Sequence, residues 1–226
     1  MEALDSPSNS AAVIDNVIDS SESVAFSKFS LIRESSDLEL SEDRSSWDSM
    51  ALSGRPPLII SPSIQNVGVT GAGGCIGSWV LAILFQSGVS TLAFDLSAEQ
   101  TRIKLILSEE EASEIPWVIG NISEFENIEK AVVDYNIKAI IHLAALQVPF
   151  CANDPALGAR VNVEGTINVL NISREMSIKR TVYASSVAAL GMPPAGPWKE
   201  TLYGAYKQTN EHTAYVFCLL YTSDAA

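Results

Sequence analysis

Tyr203 and Lys207 stand four residues apart in Tyr203-Gly-Ala-Tyr-Lys207. On a helix that spacing puts a phenol and an ammonium on one face. A free phenol has a pKa near ~10 and is mostly protonated at neutral pH. A neighbouring ammonium stabilises the phenolate and lowers that value. Such a tyrosine can exchange a proton with a substrate hydroxyl. A second set suits a nucleotide. Gly71, Gly74 and Gly77 recur every three residues between an apolar run and Ile76, Val80, Ile83 and Leu84, which follow at helical spacing. That is strand, tight turn, helix. Glycine there serves a turn closed to residues with a Cβ, close backbone approach to a diphosphate, and close helix-on-strand packing. The helix start at Cys75, Ile76 and Gly77 offers N–H groups and partial positive charge to phosphate. Asp95 ends a second apolar run 18 residues after Gly77. An acid there accepts hydrogen bonds from ribose hydroxyls and repels a 2′-phosphate, which favours NAD over NADP. The plain alternatives are a loop of glycines, a chance Tyr–Lys pair and a turn aspartate.

These groups need a scaffold that brings them together. From residue 65 onward strand and helix patterns alternate, the signature of a parallel sheet with crossover helices. The five strands are expected at 66–70, 91–95, 116–119, 139–143 and 180–184. Helices are expected at 76–86, 98–107, 125–135, 155–176 and 203–217. Asp154 and Pro155 start the long helix as cap and first residue, with Val163, Ile167 and Leu170 as its buried stripe. Right-handed crossovers give an α/β, Rossmann-type doubly wound sheet of order 3-2-1-4-5. The cofactor crevice then lies at the carboxyl ends, between the first and fourth strands.

The glycine spacing also carries a resemblance. The strict G-x-G-x-x-G pattern fails, because Ile76 stands at its third glycine; T-G-x-x-G-x-x-G fits. With the Tyr203–Lys207 pair after a fifth strand, residues 65 to about 217 resemble the extended, epimerase/dehydratase branch of the short-chain dehydrogenase/reductase superfamily. The resemblance implies NAD as cofactor and hydride transfer coupled to proton exchange at Tyr203. It implies Lys207 on the nicotinamide ribose, and Ser186, or failing that Ser185, on the reacting oxygen. Asn121 and Ile122 would contact adenine, with Asn121 standing where the family carries an aspartate. Ala144 and Ala145 would let the backbone approach the cofactor. His142 reads as a packed core histidine, and Asn162 as a tie between the long helix and the fourth strand. No carboxylates follow Ser186, where Val187-Ala-Ala189 stands, so elimination of water lacks its acids. The expected function is NAD-dependent oxidation of a secondary alcohol, with a nucleotide sugar among the candidate substrates. The alternatives are a catalytically silent NAD(P)-binding sensor and an NADP-linked reductase, against which Asp95 argues.

Composition narrows the partners. A net charge of −13 argues against nucleic acid. No apolar run of membrane-spanning length occurs, and neither secretory nor transit character is seen at the start, so a cytoplasmic location is expected. Cys75, Cys151 and Cys218 share no metal spacing, and no metal site is expected. The partner is a small-molecule alcohol or sugar, with a homodimer for the full-length protein. Residues 1–62 carry 11 acidic against 4 basic residues with much serine and read as a disordered tail and linker. Residues 63–217 read as the NAD-binding domain. Residues 218–226 read as foreign, matching one frame of a transposase sequencing adapter. Because the family continues with a sixth strand and a substrate region, the fifth strand is expected to be an unpaired edge, and residues 1–226 to be poorly soluble and nearly inactive.

Overall fold

A computed structural model of the chain describes residues 25–29, 65–190 and 200–221. Strands are β1 (Ala25–Phe29), β2 (Val67–Thr70), β3 (Thr91–Asp95), β4 (Trp117–Ile119), β5 (Ala139–His142) and β6 (Arg180–Ala184). Helices are α1 (Cys75–Gln86), α2 (Glu109–Glu114), α3 (Phe125–Asp134), α4 (Val148–Asn153), α5 (Pro155–Ala159), α6 (Gly165–Glu175) and α7 (Leu202–Tyr221). All strand pairs are parallel, in the order β1-β6-β5-β2-β3-β4. From β2 to β6 this is the expected 3-2-1-4-5 Rossmann order. Register aligns the carboxyl ends: Thr70 pairs with Phe94 and His142, and His142 with Tyr183. Whatever follows these residues in sequence shares one rim of the sheet.

The strands are apolar on both faces because helices cover both. Val67, Val69 and Ala93 pack with Leu81 and Ala82 of α1 and with Ile103, Leu107 and Ile115. Leu92, Phe94 and Ile140 point the other way, onto Ile128 and Val132 of α3 and Val169 and Ile172 of α6. At roughly 25 cal/mol per Å² of apolar surface removed from water, these two layers are the main favourable contribution.

Four expectations change. Residues 98–107 are not one helix; a 3-10 turn at Ile103–Leu105 precedes α2. Ser108 caps α2 in a reciprocal box with Glu111, a helix start just beyond the end of the expected one. The helix expected at 155–176 forms, interrupted by a π-helical turn at Arg160–Glu164, and α4 precedes it. The wider turn shifts the phase of the buried face. Val161, Thr166, Val169 and Leu170 are buried, whereas Val163 and Ile167 are only partly so. In α1 the buried residues are Gly77, Ser78, Leu81, Ala82 and Leu84, and Ile76 is 65% exposed. The fourth change concerns the sheet edge. β6 is not unpaired: Ala25 to Phe29 run parallel along it, in register with Arg180 to Ala184. An open edge presents unsatisfied N–H and C=O groups that an extended segment can fill. Residues 25–29 are the described part of the expected 1–62 tail. Residues 1–24, 30–64, 191–199 and 222–226 lie outside the described residues. α7 continues past 217, the expected last native position, to Tyr221.

Candidate active site

The glycine turn opens the site. Gly71 has φ +69, and a Cβ there would lie 2.6 Å from Ala144 N and 2.7 Å from the Leu143 carbonyl carbon. Only glycine lets the turn after β2 close on the chain leaving β5. A Cβ on Gly77 would lie 2.2 Å from the Gly71 carbonyl oxygen, so this glycine seats α1 against the turn. The helix begins at Cys75 with Gly74 as a cap that has no side chain to offer, and no acid stands in its first turn. Gly74, Cys75 and Ile76 are exposed.

Asp95, next to the turn in the neighbouring strand, accepts from Gly73 N–H at 2.8 Å and from Leu96 N–H at 2.7 Å. Arg102 donates to the Gly73 carbonyl at 2.9 Å. The loop after β3 folds back over the glycines, which no local pattern announces. Beyond β4, Asn121 N–H donates to Asn127 Oδ1 at 3.1 Å and Asn121 Oδ1 accepts from Ser123 N–H at 3.0 Å. The Ile122 side chain is buried in the core, and Gly165 packs against it.

Thr70, His142 and Thr166 form a buried polar line behind the turn. Thr70 Oγ1 is 2.7 Å from His142 Nδ1, and His142 Nε2 is 3.1 Å from Thr166 Oγ1. Burial, then the charge of Lys207, holds the imidazole well below its ordinary range, at about 3. It is neutral at physiological pH, as expected of a core histidine. Asn162, in the π turn, accepts from Leu146 N–H at 2.7 Å and donates to the Leu146 carbonyl at 2.9 Å. It thereby ties the helix to the chain after β5, close to Ala144 and Ala145.

On the same rim, Lys207 Nζ donates to the Ala184 carbonyl at 2.7 Å and lies 5.6 Å from the Tyr203 ring centroid. Burial pushes this ammonium down to about 8, with Cys151 acting slightly the other way. Tyr203 is partly exposed. Its helix is pressed onto the turn that follows the serines: a Cβ on Gly204 would lie 2.2 Å from the Ala188 carbonyl oxygen. Ser186 Oγ accepts from Ala188 N–H at 3.2 Å, which leaves its proton to donate. Ser185 donates its proton to Glu211. The glycine turn, the chain after β5, the serines and the Tyr–Lys pair therefore lie along the carboxyl ends of adjacent strands.

A sequence profile of the NAD-dependent epimerase/dehydratase family matches residues 67–223. The chain belongs to that family. Among its relatives, UDP-glucose 4-epimerase of Mycolicibacterium smegmatis is 28% identical over 167 residues, covering 70% of this chain and 53% of that protein. Protein CapI of Staphylococcus aureus is 26% identical, covering 68% of this chain and 49% of that protein. The solved UDP-glucose 4-epimerase of Thermus thermophilus in complex with NAD is 27% identical, with a TM-score of 0.59 over 70% of this chain and 52% of the other. L-threonine dehydrogenase of Clostridium difficile shares the fold, with a TM-score of 0.60 at 21% identity. The chain spans about half the length of the first two of these relatives.

The family cofactor is NAD, and the residues present fit it: an uncapped helix start for diphosphate, a carboxylate for ribose, and an ammonium further along the same rim. No metal-ligating cluster occurs among the described residues. No described helix is long and apolar enough to cross a membrane.

Proposed function

We propose that the chain binds NAD and carries the acid/base apparatus for oxidising a secondary alcohol, with a nucleotide sugar as the favoured substrate class. The observation that carries this is the buried Lys207 ammonium, 5.6 Å from the Tyr203 ring and bonded to the carbonyl of Ala184, which lies two residues before Ser186. The relatives named UDP-glucose 4-epimerase support the sugar class.

The N–H groups at the start of α1 hold the diphosphate, with Gly71, Gly74, Cys75, Ile76 and Gly77 lining it. Asp95 holds the adenosine ribose, and Asn121 with the Ile122 N–H meets adenine. Ala144 and Ala145 leave room beneath the cofactor. Bound NAD supplies the acceptor for the hydride leaving the carbinol carbon. Ser186 donates its free proton toward the substrate oxygen and orients it. Tyr203, as phenolate, takes the hydroxyl proton as the C–H electron pair leaves, so a ketone forms and one proton stays on the phenol. Lys207 stabilises that phenolate by its charge and reaches the nicotinamide ribose hydroxyls. Epimerisation would need the ketone to turn its other face toward the same site, with Tyr203 returning its proton to the oxygen.

Tyr203→Phe, made in a chain that runs the full length of those relatives, tests the assignment. It should leave NAD affinity within a few-fold of the parent while turnover of a secondary alcohol, followed at the NADH absorbance or by epimer analysis, falls at least ~100-fold. Undiminished turnover in that variant would end the catalytic reading and leave a nucleotide-binding protein.

A further inference from the structure

Asn210 lies on α7 three residues beyond Lys207, and the two are 1% and 6% exposed. The chemistry above gives Asn210 no task. Its Nδ2 donates to the Asn162 carbonyl at 2.8 Å and to Thr166 Oγ1 at 3.0 Å. The direction of each bond around it is fixed. A carbonyl only accepts, so the amide must meet Asn162 with its nitrogen. Thr166 donates its single hydroxyl proton to the same carbonyl at 2.7 Å. Its oxygen therefore accepts, from Asn210 and from His142 Nε2. His142 Nδ1 is then the acceptor, and Thr70 Oγ1 donates to it. This continuous line runs from the residue before Gly71 to the helix of Tyr203 and Lys207. The same orientation leaves Asn210 Oδ1 buried with no hydrogen-bond partner among the described residues. A leucine would fill a similar volume without that buried oxygen, so the amide serves its two donated bonds.

We propose that Asn210 is a positioning residue for Lys207: by tying α7 to the Asn162 carbonyl and the Thr166 hydroxyl, it holds the turn of helix that keeps Lys207 Nζ on the Ala184 carbonyl. The proposal rests on the role given to Lys207 above. The π turn makes the arrangement coherent. It carries Asn162, whose side chain is already committed to Leu146, so its carbonyl is the group left for α7. The titratable groups facing Lys207 are Tyr203 on its own helix, His142 from β5 and Cys151 from α4.

The test reads the lysine and needs no turnover. The full chain is treated with an amine-acylating reagent from neutral to alkaline pH, and modification of Lys207 is followed by peptide mass spectrometry. In the parent, reactivity should rise with a midpoint at about 8. In Asn210→Leu the helix turn loosens and water reaches the amine, so the midpoint should move up toward 10.5, by roughly one unit or more. An unmoved midpoint, with only a lower melting temperature, would overturn the proposal. Should Asn210→Leu not fold, Thr166→Val removes one of the two acceptors and keeps Asn210. The same upward shift, smaller, is then expected, and its absence overturns the proposal equally. Calorimetry with NAD on the parent separates the two readings. Failure to bind NAD removes the cofactor assignment, while the midpoints still decide what Asn210 does.

Discussion

Asp95 holds the glycine turn before any ribose reaches it. Its two oxygens already accept from Gly73 and Leu96. Each keeps a second lone pair, so holding the turn leaves room for the proposed ribose role. Arg102 on the Gly73 carbonyl is a cation near the same end, so discrimination against a 2′-phosphate depends on the charge of Asp95. Asp95→Asn should therefore weaken NAD roughly tenfold, the worth of one charged hydrogen bond, and narrow the preference over NADP. Calorimetry with both nucleotides checks this, and an unchanged preference would place the discrimination elsewhere. The two other tyrosines near the site are occupied. Burial, then Glu211, pushes Tyr183 up to about 12, and Tyr206 donates to the Pro155 carbonyl at 2.9 Å. That leaves Tyr203 as the candidate proton carrier. Between the serines, the bond from Ser185 to Glu211 favours Ser186.

At the scale of elements, the π turn and the glycine turn do the positioning. Asn162 bonds Leu146 through both ends of its amide and also touches Cys151 Sγ at 3.2 Å. Asn162→Ala would take its partner from the half-buried Leu146 N–H and leave the Leu146 carbonyl only the weak Cys151 thiol donor at 3.2 Å, a loss of about 1–2 kcal/mol, measurable by urea denaturation. A loss near zero would mean that the chain after β5 holds its own shape. The glycine turn and the Tyr–Lys helix were legible because their chemistry is local: spacing of three, spacing of four, and an apolar run before each. The π turn was not, because no composition marks it, and its extra residue moved the buried stripe off Val163 and Ile167. α4 was missed because Val148 to Asn153 is too short for periodicity to declare itself. Ser108 and Glu111 did announce α2, but its six residues bury only Ala112, too little for an apolar period to mark it. Asn210 and Glu211 sit on the expected helix, yet their partners come from 48 and 26 residues away, which no local pattern encodes.

Across the whole molecule, β1 covers the edge of β6 that was expected to be open, and the free edges of the sheet among the described residues are β1 and β4. His142 links fold and pH. Its value in the fold is about 3 against 6.5 unfolded. Between those values the unfolded chain binds the extra proton, so stability falls as pH falls through 6.5 and is complete above it. From pH 7 to pH 5 the loss from this residue is about 2 kcal/mol. His142→Gln should flatten that part of the profile; an equal slope would assign it to other groups.

The central claim is that the glycine turn and the Tyr203–Lys207 pair address two ends of one dinucleotide. Acylation of Lys207 in the presence of NAD measures this directly. Saturating NAD should slow labelling of Lys207 sharply, ADP should not, and Gly71→Val should abolish the protection. If NAD binds by calorimetry and Lys207 is labelled at its unliganded rate, the two features serve different sites and the account is contradicted.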